Sequence, residues 1–206
     1  VNRQLTYLKT VLSYCVEFGW MSRSPAVKKL TEGKRVRFLS DDELQALSEA
    51  LAACTERVML PFTYCALSSG ARAGELLSLE WKDVDLAKGV ATIHSSKSGE
   101  GRKLYFRGKA LALLKDYNKV RVLGSPGVFL LNSVAPLTHS VYGKLFREAL
   151  ATAKIKDFRF HDLRHTAASY LAQNGAILLE IQQVLGHRTP TMICRSFCHI
   201  SPSKMS

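Results

Sequence analysis

The chain has no apolar run approaching the roughly 20 residues that a bilayer-spanning helix requires, so no membrane partner is expected. Cysteine is sparse: Cys15, Cys54, Cys65, Cys194 and Cys198 are odd in number and follow no close metal-ligand or secretory spacing. That excludes a disulfide framework and points to reduced thiols in a cytoplasm. The first residues, VNRQLTYLKT, lack the charged start, apolar middle and small-residue cleavage site of a signal peptide, and they read as the interior of a longer chain. Internal repeats and low-complexity tracts are missing too. Two further shortages bear on chemistry. Acidic residues are few, 17 Asp and Glu against 29 Lys and Arg, and no tyrosine follows Tyr170.

What is present fits one full core with a small appendage. At 206 residues, 47% apolar and 22% charged, the composition is that of a globular protein with one main domain. The formal net charge of +12 favours a polyanionic partner, nucleic acid first, over a merely basic protein or one that visits anionic lipid.

Leu5, Leu8, Leu12 and Cys15 recur at helical spacing, which predicts an amphipathic helix over about 3–19, broken by SRSPAV. The basic stretch Lys28 to Arg37 reads as a linker suited to a phosphate backbone. Ser40 with Glu43 is a capping-box pattern opening a new helix. ERVMLPFTYCALSS follows as a helix that Pro61 either kinks or begins, and Gly70 permits a sharp turn into ARAGELLSL. Trp81 to Asp85, Gly89 to His94 and Lys103 to Phe106 are predicted strands, the last two joined by a glycine-bearing hairpin. Helices are expected at 109–123, 138–154, 161–175 and 177–187, with a short last one capped by Thr189 and Pro190.

Chemistry concentrates in a few places. In HDLRH, His161, Arg164 and His165 share a helical face. An arginine there suits an anion, because its planar fork gives two hydrogen bonds and keeps its charge while a phosphorus transition state gains negative charge. Arg72, at the turn after Gly70, is the natural second arginine, with Glu75 three residues on to brace it. Histidines four apart beside an acid also resemble a zinc pair, but a guanidinium inside the motif would repel the metal. Cys194, Cys198 and His199 form a weaker partial metal cluster.

Taken together, SSGARAGELLSLEWKDVD, HDLRHTAASYL and LGHRTPTM resemble, in order and spacing, the arginine and histidine boxes of the tyrosine recombinases, the phage integrase family. The resemblance implies a mainly α catalytic fold with a small antiparallel sheet over 35–206. Residues 1–34 would be the last helix of a core DNA-binding domain plus a basic linker. It further implies site-specific cutting and rejoining of double-stranded DNA at attachment sites, with no metal or nucleotide cofactor. A homotetramer would assemble on DNA, with a host DNA-bending protein as an accessory. By the same resemblance Arg72 and Arg164 hold the phosphate, while His161 and His187 donate hydrogen bonds or move protons. Lys97 protonates the leaving oxygen, although Arg102 and Lys103 on the same hairpin compete for that assignment.

The pattern departs at the nucleophile. The family's tyrosine lies nine residues beyond the last histidine, and here that position is Ser196. An alkyl hydroxyl is a far weaker acid than a phenol with a pKa near 10. The serine reflects a mutation that stops cleavage, an altered family ending, or a nucleophile supplied by another subunit. The competing expectation is a noncatalytic DNA-binding relic that occupies recombination sites.

Overall fold

The computed structural model describes residues 1–30, 37–94, 101–122, 124–132 and 134–186. The chain divides into two compact units, Val1–Arg35 and Val36–Ser206. In the first, helix α1 (Asn2–Glu17) buries none of its residues within the structure described. The side chain of Asn2 accepts from the Leu30 N–H and donates to the Leu30 carbonyl, both at 2.8 Å, which ties the two ends of the unit together. Tyr14, Phe18 and Trp20 form an exposed aromatic run.

The second unit is mainly helical with a small antiparallel sheet. It opens with α2 (Asp41–Ala52), whose capping box is complete: Glu43 N–H donates to Ser40 Oγ and Ser40 N–H to the Glu43 carboxylate. Its centre is α3 (Met59–Ser69), which packs against α2, the short α4 (Ala73–Leu77), α5 (Gly108–Lys119), α6 (His139–Thr152) and α7 (Asp162–Gln173). That position explains an almost wholly apolar helix, with Met59, Phe62, Cys65 and Ala66 buried. Pro61 stands in its first turn, where a missing N–H costs nothing. α8 (Leu178–Leu185) packs on α7.

The sheet has the order β1 (Val84–Asp85), β2 (Val90–Ile93), β3 (Arg102–Tyr105), antiparallel throughout, with Ile93 opposite Arg102. Trp81–Asp83, expected as strand, is a 3₁₀ turn. There the Trp81 N–H donates to the Pro126 carbonyl and Asp83 N–H to Glu80, so the backbone is committed before the ladder begins. The helix expected to reach residue 123 stops at Lys119, ahead of two valines with poor helix propensity. A two-stranded ribbon, β4 (Leu130–Leu131) with β5 (Ala135–Pro136), was not foreseen. The helix expected from Thr189 lies outside the described residues, as do Cys194, Cys198 and His199. Among the described residues no helix is long and apolar enough to cross a membrane.

Candidate active site

The site is built where α3 turns into α4. Gly70 ends α3 at φ 58°, a left-handed conformation that a side chain resists, and a Cβ there would fall 2.3 Å from Leu185 Cδ2. Glycine thus serves both the turn and the close approach of α8. Arg72 precedes α4 in extended conformation, and its N–H donates to Glu75 Oε2 at 2.8 Å. Its Nη1 donates to Glu75 Oε1 at 3.1 Å. One buried carboxylate therefore caps the helix and steadies the guanidinium.

The opposite side comes from α7. Phe160 is wedged among Phe62, Tyr142 and Phe146, with ring centroids 5.0, 4.8 and 5.1 Å away. This aromatic anchor fixes the approach to His161, and the Asp162 carboxylate accepts the Arg159 N–H at 2.9 Å to close the turn. Arg164, three residues beyond His161, is only 4% exposed. Its Nη1 donates to the Gly70 carbonyl at 2.6 Å and its Nη2 to the Leu185 carbonyl, so it ties α7 to the α3–α4 turn and to the end of α8.

A third arginine completes the group. Arg102, the first residue of β3, donates from Nη2 to Glu75 Oε2 and from Nη1 to the Val184 carbonyl, both at 2.7 Å. In the sequence Arg102 stands out only as a rival to Lys97. The usable signal was its place at the start of a strand leaving a hairpin, which cannot show that its side chain turns toward α4.

Electrostatics follow from this crowding. Arg72, Arg102 and Arg164 gather around Glu75, three cations against one anion. Burial first, then the charges of Arg72 and Arg102, lower Arg164 to about 9, where it still carries its proton at neutral pH. Burial would raise Glu75, but the hydrogen bond and charge of Arg102 and the bonds from Arg72 outweigh it and hold the carboxyl below its ordinary value. The three guanidinium groups therefore outnumber the one carboxylate that they share.

Beside it lies a cavity of about 460 Å³ lined by Arg72, Glu75, His139, Tyr142, Phe160 and His161. His161 is exposed by area. The protein packed around its ring, and then the charges of His165 and Arg164, nevertheless lower its pKa and favour the neutral imidazole at pH 7. Its ring meets that of His165 edge-on, with centroids 5.9 Å apart. His139 Nδ1 and the Tyr142 hydroxyl, 3.1 Å apart on the far wall, were also missed; both lie in the first turn of α6, where nothing in the local sequence marks them.

The structure thus brings Arg72 and His161 to one cavity and couples Arg164 to Arg72 through charge and the shared α3–α4 turn. Lys97, His187 and Ser196 lie outside the described residues. By chain position Lys97 belongs to the connection between β2 and β3, and His187 directly follows Gly186.

The phage integrase family profile matches residues 37–204. The integrase of Salmonella phage P22 is 29% identical over 214 residues, covering 98% of this chain and 54% of its own length. A crystal structure of XerA recombinase superposes with a TM-score of 0.71 at 26% identity, over 84% of this chain and 63% of that one. The lambda integrase tetramer bound to a Holliday junction is similar in fold, with a TM-score of 0.73 at 20% identity, over 92% of this chain and 59% of that one. The chain spans about half the length of the curated relatives it matches.

Proposed function

The chain belongs to the phage integrase family, the site-specific tyrosine recombinases, and on that premise we propose that its arginine cluster grips one backbone phosphate of double-stranded DNA at a recombination site. The gathering of Arg72, Arg102 and Arg164 around the single carboxylate of Glu75 carries this reading. A phosphodiester oxygen brought to Arg72 and Arg164 offsets their repulsion, and it does so most strongly as charge grows on phosphorus during displacement. The net charge of +12 supplies longer-range attraction to the duplex.

In the full reaction of the family, a phenolic oxygen forms a bond to phosphorus while the bond to the 5′ oxygen breaks. The 3′-phosphotyrosyl link that results keeps the phosphoester for rejoining, so no metal or nucleotide cofactor is required. Lys97 gives a proton to the departing 5′ oxygen, a role open to an ammonium and closed to a guanidinium. His161 and His187 donate hydrogen bonds or relay protons. Ser196 stands at the nucleophile's position and leaves the covalent step impaired.

Residues 1–34 act as the end of a core DNA-binding domain and its basic linker, and 35–206 as the catalytic domain. Four protomers assemble on two DNA sites in the cytoplasm, with a host DNA-bending protein as accessory; the lambda integrase tetramer, alike in fold, supports that assembly. Ser196 favours one second reading, a noncatalytic relic that occupies recombination sites.

The test uses a nicked duplex selected from a random-sequence pool for binding to this chain, with gel analysis for covalent adduct. The chain itself is expected to bind without adduct and the Ser196→Tyr variant to form one. If neither forms an adduct while a Phe197→Tyr variant does, the nucleophile's place is one residue further on. Tight binding with no adduct from any of the three favours the relic.

A further inference from the structure

Arg102 holds the carboxylate that also holds Arg72, and a carbonyl one residue before the one that holds Arg164. Arg72 lies on Glu75, whose Oε2 also accepts from Arg102 at 2.7 Å. Arg164 lies on the Leu185 carbonyl, and the preceding carbonyl, Val184, accepts from Arg102 at 2.7 Å. The stem of Arg102 runs against Gly186: a Cβ on that glycine would fall 2.7 Å from Arg102 Cδ. Gly186 has φ 64°, so a side chain there is excluded by conformation as well as by contact. The side chain of Arg102 is 12% exposed, and among the described residues its buried Nε has no hydrogen-bond acceptor. It faces inward along most of its length.

We propose that Arg102 is a positioning residue that sets the spacing of the phosphate clamp, one arm of its fork fixing Glu75 beneath Arg72 and the other fixing the end of α8 beneath Arg164. This rests on the reading of Arg72 and Arg164 as that clamp. Arg102 acts through the two arginines, by way of Glu75 and the end of α8. Lysine has the charge but a single ammonium, which cannot span a carboxylate and a carbonyl with the same planar geometry. Geometry and charge are therefore separable by substitution.

Inorganic phosphate, titrated at constant ionic strength and followed through the guanidinium Nε–H NMR signals, is the probe. Arg102→Met is expected to weaken phosphate binding about tenfold, as for coupled neighbours in one network, and Arg102→Lys to restore only part of the loss. Because Arg102 works through Arg72, Arg102→Met placed on Arg72→Ala is expected to add little further loss. Full restoration by lysine, an undiminished additive loss on Arg72→Ala, or no effect of Arg102→Met would each overturn the inference while leaving the clamp in place. Unchanged phosphate affinity in Arg72→Ala alone would instead remove the clamp, and the inference with it. Should Arg102→Met fail to fold, the same cycle is run with Arg102→Lys, whose retained affinity must again depend on Arg72.

Discussion

Arg164 is 4% exposed and spends its N–H groups on carbonyls from two distant segments, whereas the side chain of Arg72 is 34% exposed and is held by a carboxylate three residues away. The same chemical group is thus a fastener in one place and a reachable hand in the other. Arg164 joins α7, the α3–α4 turn and α8, so removing it disturbs the fold as well as the charge. Arg72 hangs from one short helix and can be removed with little structural consequence. A site that must grip a polyanion without collapsing under its own repulsion gains from this division: Arg164 is fixed in place by two of its five N–H groups, and Arg72 can adjust to a phosphate set against both.

The largest expected difference between the two is in stability. Arg164→Ala leaves the Gly70 and Leu185 carbonyls without their charged donor and is expected to cost about 2–3 kcal/mol by denaturant unfolding. Arg72→Ala is expected to stay within about 1 kcal/mol of the parent, as is usual for a partly exposed pair, while losing phosphate affinity. Equal destabilisation by the two would break the comparison.

Next in size is Gly70→Ala. The left-handed φ and the 2.3 Å approach of Leu185 displace the carbonyl that Arg164 holds, at a cost of about 1–2 kcal/mol. In an Arg164→Ala background the penalty is expected to shrink, because the carbonyl no longer has that donor to lose; an unchanged penalty would confine the role of Gly70 to the turn itself.

The smallest effect concerns pH. Burial and neighbouring positive charge lower both His161 and His165 below 6.5, so the unfolded chain takes up protons that the folded chain refuses. Stability from this source is complete above about pH 6.5 and declines as pH falls toward the lowered values. The melting temperature is expected to drop on acidification through that window, less steeply in His165→Gln; a melting temperature that rises there would contradict the lowered pKa of these rings.

Local signals made much of this legible in the sequence. The Ser40 and Glu43 pair announced the start of α2 because a capping box is written within four residues, and Gly70 marked the turn because a left-handed backbone needs glycine there. Glu75 was expected behind Arg72 and is found there, an interaction one helical turn long. The 3₁₀ turn at Trp81–Asp83 depends on the Pro126 carbonyl, 45 residues along the chain from Trp81, and the β4–β5 ribbon pairs segments too short to show a period. The bracing role of Arg102 is hidden for the same reason: its partners Glu75 and Val184 lie 27 and 82 residues distant. Helix faces and caps are local, while the bracing of a charged cluster is tertiary.

The most direct measurement is a crystal structure of the chain on a nicked duplex selected for binding. One backbone phosphate is expected within hydrogen-bond distance of both Arg72 and Arg164, with Glu75 still bridging Arg72 and Arg102. Phosphates that contact only Arg72 while Arg164 makes no contact with DNA, or a DNA path that avoids the α3–α4 turn, would contradict it.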